Sequence, residues 1–378
     1  MLEQAKISGL FGRLSHLRMT GLEVGSGRYR DPMSSHVLQI IPLGAGPWPT
    51  IDPFLFCVRH HDDYPVGNEQ LGPTSSLEGR EIGSDFSGKD GWSMYHGDVV
   101  PGFPQHPHRG FETVTFVRNG VIDHSDSMGA SARFGRGDVQ WMTAGSGIVH
   151  SEMFPLLQTG QPNPVELFQI WVNLPKRDKM VDPYFTMLWD HGIPRHHAID
   201  ANGLAAEITV VAGPLAGLTP PSPPPNSWAS NADAELAIWQ IRLDAGATTT
   251  LPAARSHETT RLLYIYAGSG VKIGDELVDG MHVAVVQSDI ELTITATTDA
   301  PVEILVLQAR PIGEPVAQYG PFVMNDRAGI EQAFRDYERT KFGGWPWESD
   351  APTHARNQGR FARHVDGRVE TPTVVAGS

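Results

Sequence analysis

The sequence predicts an all-β protein made of two β-rich blocks in tandem, with a helix near the C-terminus. Three observations predict it. Glycine (40) and proline (30) are abundant in 378 residues, as many short strands joined by tight turns require. Runs of β-formers recur at short spacing on both sides of a proline-rich stretch, "LTPPSPPPNSW", which is too stiff and donor-poor for a central strand. Near the end, "NDRAGIEQAFRDYERTKFG" carries a helical apolar stripe of Ile330, Phe334 and Tyr337, with Asn325 or Asp326 as its cap and Gly343-Gly344 as its stop.

Composition narrows the functional classes. The net charge of −14 is spread along the chain, which argues against direct nucleic-acid binding and against a membrane-surface role. The single cysteine, Cys57, excludes an internal disulfide, fits a reducing compartment and is expected to be a small buried hydrophobe. The opening "MLEQAKISGLFGRLSHLRM" lacks the apolar core of a signal peptide, and no run of about 18 apolar residues could span a bilayer. A soluble cytoplasmic protein is the expectation.

Taken in order, residues 1–30 form a basic N-terminal arm. A first barrel is expected over 31–205, starting with "HVLQIIPLG" and "IDPFLFCVRH" as strands. Residues 60–100 are rich in Gly, Ser and Asp without periodicity and are expected to be an insertion loop that shapes access to a site. Its His60, His61 and His96 are expected at the surface. In "ETVTFVRNG", Val114 and Phe116 share one face and Thr113 and Thr115 the other, and Asn119-Gly120 signals a hairpin. Trp141 and Trp171 are expected as core aromatics. The second β-rich block covers 206–320, the helix 321–344, and the basic tail 345–378 is expected to be a solvated or partner-contacting arm.

Between Pro104 and Phe154 lies the chemistry. His106-Pro107-His108 opens the stretch and His150-Ser151-Glu152 closes it. Residues i and i+2 of a strand point to one face, so each pair can present two ligand atoms together. Were the pairs to meet, three imidazoles and a carboxylate would converge without a thiolate. That donor set suits Fe(II), Mn, Ni, Cu or Zn. The second block offers only isolated His257 and His282, so it is expected to be structural.

The segments "HPHRGFETVTF", "GDVQWMTAGSGIVHSEMF" and "WVNLPKRDKM", with the later "RPIGEPVAQYGPFVMN", resemble the pirin family of the cupin superfamily. The resemblance runs from about Asp52 to about Gly343, and the 60–100 insertion departs from it. It implies a bicupin: two tandem β-barrels of the double-stranded β-helix or jelly-roll type, with one iron in the first. The implied ligands are His106, His108, His150 and Glu152, with Glu112 placed just behind them. The implied activity is an Fe(2+)-dependent dioxygenase acting on a flavonoid-like, quercetin-type aromatic with O2, in which Glu152 or Glu112 would accept a proton. The alternative is a metal- or redox-responsive regulator acting through a protein partner without turnover.

Overall fold

The computed structural model describes residues 36–373. The N-terminal arm therefore lies outside the described residues. The strands are, in order, β1 (Val37–Pro42), β2 (Phe54–Tyr64), β3 (Gly102–His108), β4 (Phe111–Asn119), β5 (Val121–Asp126), β6 (Ser131–Gly135), β7 (Val139–Thr143), β8 (Ile148–Met153), β9 (Asn163–Asn173) and β10 (Tyr184–Leu188). The chain goes on through β11 (Arg195–Ile199), β12 (Ala205–Ala212), β13 (Ala237–Leu243), β14 (Thr248–Leu251), β15 (Thr260–Ala267), β16 (Val271–Ile273), β17 (Glu276–Val278), β18 (His282–Val286), β19 (Leu292–Ala296) and β20 (Val302–Ala309). It ends with β21 (Ala317–Tyr319), β22 (Phe322–Met324), helix α1 (Arg327–Thr340), β23 (Phe361–Arg363) and β24 (Val369–Glu370).

Two barrels result. In the first, sheet β10-β7-β4-β9-β2 faces sheet β24-β23-β6-β5-β8-β3; in the second, β1-β18-β15-β20-β13-β12-β11 faces β14-β19-β16-β17. Asn119-Gly120 is not a hairpin, because β4 and β5 lie in different sheets. It is a corner that carries the chain across the barrel, and the stretch between the ligand pairs alternates between sheets. Each barrel has its own apolar core, and a third cluster joins them. In that third cluster Val114, Phe116, Trp141 and Ile170 of the first barrel meet Ile238, Tyr264, Leu305 and Leu307 of the second. The even-numbered face of β4 is thus buried between barrels, and the odd-numbered face looks into the first barrel.

The barrels exchange chain ends. β1 and β11, which the sequence assigned with 31–205, hydrogen-bond into the second barrel's sheet. The tail does not hang in solvent. β23 pairs with β6, and Trp347 Nε1 donates to the Asp126 carbonyl at 2.8 Å. Arg133, fully buried, grips Asp123 through two bonds (2.6 and 2.7 Å) and gives its other N–H groups to the carbonyls of His354, Ala355 and Gln358. By strand membership we propose one unit of residues 54–188 plus 361–370 and another of 37–42 plus 195–309.

Helix α1 forms where its apolar stripe predicts but is shorter than 321–344: Phe322–Met324 is a strand, and the helix stops at left-handed Lys341 rather than at Gly343-Gly344. Asp326 caps it by accepting from Gly329 N at 2.8 Å, and Ile330, Phe334 and Tyr337 pack with Val149 of β8. Two glycines let this C-terminal segment approach the ligand strands. A Cβ on Gly110 (φ +85°) would lie 2.0 Å from the Val323 carbonyl oxygen, and one on Gly147 (φ +134°) would strike the Phe342 ring at 2.6 Å.

Candidate metal centre

β3 and β8 run antiparallel with His106 directly opposite His150. Opposed residues share a face, and His108 lies two residues along on that same face, so three imidazoles turn inward. Their ring centres stand 4.5 Å (His106–His150), 4.8 Å (His106–His108) and 4.9 Å (His108–His150) apart. One ring nitrogen from each falls within 4.8 Å of the others. Among the described residues this is the one group of three or more His, Cys, Asp or Glu so placed. Glu152, on the same face, has its Oε2 4.0 Å from His150 Nε2.

The electrostatics suit a cation. Burial lowers the pKa of His106 to about 4 and holds His108 and His150 well below the usual histidine range, with mutual repulsion adding to it. All three rings are neutral at physiological pH and keep a lone pair for a ligand. His106 Nδ1 lies 2.8 Å from the Pro104 carbonyl oxygen, which can only accept. Nδ1 therefore carries the proton and Nε2 the lone pair. Both nitrogens of His150 and Nδ1 of His108 are buried with no hydrogen-bond partner in the protein. Orphaned imidazole nitrogens that converge are costly unless something coordinates them, so these residues fit a bound metal ion.

Glu152 is aimed by its neighbours. Gln169 Nε2 donates to its Oε2 at 3.0 Å, while Thr115 Oγ1 lies 3.0 Å from its Oε1 and 2.6 Å from Gln169 Oε1. Burial raises the Glu152 pKa, partly offset by the nearby His124. Glu112 is not part of the group. It lies on the even face of β4, turned away from the imidazoles, and accepts from Thr143 (2.6 Å) and from Ser227 (2.5 Å) of the proline-rich stretch. Burial pushes its pKa up to about 7. A carboxyl sealed between barrels cannot take a proton from a molecule at the triad.

The cavity beside the triad has a volume of about 690 Å³, with His106, His108 and Glu152 in its wall. The aromatic side chains of Phe56, Tyr95, Phe103, Phe154 and Trp171 also line it. Trp171 is thus a cavity residue, its ring 5.5 Å from that of His108, whereas Trp141 lies in the inter-barrel core as expected. The 60–100 segment also departs from expectation. β2 continues to Tyr64, so His60 and Asp62 face inward on a strand while His61 is exposed. His96 is buried, its Nδ1 2.7 Å from the Gly83 carbonyl. The rest of the insertion is tied down. Asp62 accepts from Ser93 N (2.9 Å) and Tyr95 Oη (2.7 Å), and Arg80 meets Asp85 at 2.9 Å with its guanidinium 3.4 Å over Trp92.

One residue beside the triad had no conspicuous signal. His124 of β5 opposes Glu152, is fully buried, bonds Asp126 Oδ2 at 3.2 Å, and has its ring 5.5 Å from His150. In the sequence it is a lone histidine in "VIDHSDS"; only the strand register places it here.

Comparisons with known proteins agree with this geometry. Two family models match, Pirin over residues 74–172 and the Pirin C-terminal cupin domain over residues 238–343. A protein of Pseudomonas aeruginosa, named provisionally as a quercetin 2,3-dioxygenase, is 40% identical over 242 residues, 64% of this chain and 79% of that protein. Pirin-1 of Arabidopsis thaliana is 37% identical over 251 residues, 64% of this chain and 78% of its own. A crystal structure of quercetin 2,3-dioxygenase from Acinetobacter baumannii superposes with a TM-score of 0.61 at 27% identity, covering 82% of this chain and 96% of that one.

Proposed function

Because this chain belongs to the pirin family, its two barrels both cupin domains, we propose that it is a metal-dependent dioxygenase acting on a flavonoid-like aromatic. His106, His108, His150 and Glu152 hold one divalent ion, iron(II) before manganese, nickel, copper or zinc. The observation that carries this reading is the convergence of three neutral imidazoles, with both nitrogens of His150 and Nδ1 of His108 unpartnered, beside a cavity with aromatic walls. The activity is taken from the names of the relatives. When bound, a cation held by three imidazoles and a carboxylate would acidify a catechol or enol hydroxyl, and a redox-active one such as iron would supply the electron chemistry with O2.

The chain's own residues do the rest. Trp171, Phe103 and Phe154 hold a flat ring by stacking and edge contacts. Glu152, aimed by Gln169 and Thr115, accepts the substrate's hydroxyl proton. The 60–100 segment, fixed by Arg80 and Asp62, keeps bulk water from the reacting face. The test is metal analysis of anaerobically purified protein followed by O2 uptake with quercetin. Iron-dependent uptake is expected; metal-loaded protein that consumes no O2 with quercetin or related flavonols would refute the activity.

A further inference from the structure

The inward face of β2 carries a polar group that the metal chemistry does not use. Opposed pairs step along the cavity wall: Phe56 with Trp171, Val58 with Gln169, His60 with Leu167. The first two pairs stand level with the triad, since Trp171 touches His108 and Gln169 is bonded to Glu152. His60 lies two residues beyond Val58, about 7 Å further along the strand. That is the length of two fused six-membered rings.

His60 is caged by aromatic rings. Tyr95 stands edge-on at 4.8 Å and 89°, with Phe103 at 5.7 Å and Phe154 at 6.3 Å. Three other histidines, His96, His106 and His282, anchor Nδ1 on a backbone carbonyl. Among the described residues nothing hydrogen-bonds either nitrogen of His60, and its half-buried ring opens on the cavity. Burial lowers its pKa to about 4, so at neutral pH it offers one N–H donor and one bare acceptor. A polar ring in an apolar cage is costly unless a ligand or a water satisfies it.

We propose that His60 is a specificity residue: it hydrogen-bonds a hydroxyl on the far ring of a planar polycyclic phenol whose near end is anchored at the triad. The inference rests on the metal-anchored aromatic reading of the same cavity and adds what that reading lacks, a selector for length and remote hydroxylation. A site that hydrogen-bonds a substrate hydroxyl rejects the analogue without it, because its own polar group is then left unpaired.

The test measures binding to the metal-loaded full chain under anaerobic conditions, by quenching of tryptophan fluorescence. Quercetin, 3-hydroxyflavone (the same anchoring end without the remote hydroxyls) and catechol (a single ring) are the probes. Wild type is expected to bind quercetin about tenfold more tightly than 3-hydroxyflavone, the scale of one buried hydrogen bond. His60→Phe, which keeps the ring contacts, is expected to erase that preference while leaving catechol and 3-hydroxyflavone within about twofold. His60→Gln, which keeps a donor and an acceptor, should recover part of it, and His60→Leu gives the same readout as Phe should the latter not fold. A preference that survives in both apolar variants, or its absence from wild type, overturns the assignment. Binding is read without turnover, so missing O2 uptake would refute the dioxygenase reading and leave this result standing.

Discussion

Three neutral imidazoles with ring centres 4.5 to 4.9 Å apart disfavour a proton and favour a metal cation. His106→Ala and Glu152→Ala are therefore each expected to weaken metal binding by more than about a hundredfold, beyond what loss of an outer hydrogen-bond partner does. Metal content after dialysis checks this; full occupancy in both variants would refute the ligand set. Glu112 makes a different prediction. Its folded pKa, about 7, lies above the ordinary 4.5, so between those values the folded state keeps a proton that the unfolded state has lost. The stability this gives is complete below pH 4.5 and is lost as pH rises through 7, by at most about 3 kcal/mol. Glu112→Gln keeps both hydroxyl contacts, and its melting temperature should fall less than that of wild type between pH 5 and 8. Parallel melting curves would refute it. The histidine pairs were legible because i, i+2 spacing is a local property. Glu112 was misplaced because its face was not: parity put it with Val114 and Phe116, and only the neighbouring barrel decides what that face meets.

Among the elements, the insertion is a braced wall. Arg80 is fully buried and spends its donors on Asp85, the Trp92 carbonyl and the Lys89 carbonyl. Arg80→Ala leaves Asp85 buried without its cation, a change of about 3–5 kcal/mol. The expected result is faster proteolysis or hydrogen exchange within residues 78–95 and unchanged metal stoichiometry. An unchanged exchange pattern would show that the segment is held by other contacts. Glycine, serine and aspartate made this stretch look like a loop, which by strand content it mostly is. Its rigidity was illegible because the contacts run through single side chains spaced irregularly, Asp62 to Tyr95 and Arg80 to Trp92. The cap and the apolar stripe of helix α1 were legible, since both are written within a few turns; its stop at Lys341 was not, because a left-handed residue there carries no glycine to mark it.

At the scale of the molecule, the two barrels are fastened by charge as well as by apolar surface. Arg118 of β4 reaches Glu166 of β9 (3.0 Å) and Glu303 of β20 (2.6 Å), and Glu303 also accepts from Tyr266 at 2.8 Å. Together with the Val114–Leu305 cluster, this predicts a single cooperative unfolding transition for the pair. Arg118→Ala is expected to lower its midpoint or split it in two by calorimetry; an unaltered transition would mean that the apolar contact alone couples the barrels. Two tandem all-β units could be read from strand spacing and resemblance. Their exchange of chain ends could not, because nothing local in "VLQIIP" or "FAR" names a partner strand so distant in the chain.

That exchange sets an order of events during synthesis. β1 leaves the ribosome long before β18, its pairing partner, has been translated, and β6 must wait with an open edge for β23. Throughout that interval two hydrogen-bonding strand edges are available to any other extended segment, including the same segments of neighbouring nascent chains. The second barrel has all its strands once Ala309 has emerged, whereas the first keeps its β6 edge open until β23 follows, so the N-terminal barrel should be the later of the two to become protease-resistant. Stalled nascent chains of increasing length would show this as one step after Ala309 and a second after Arg363 emerges; a first barrel already resistant before Arg363 would show that it closes without the strand it borrows.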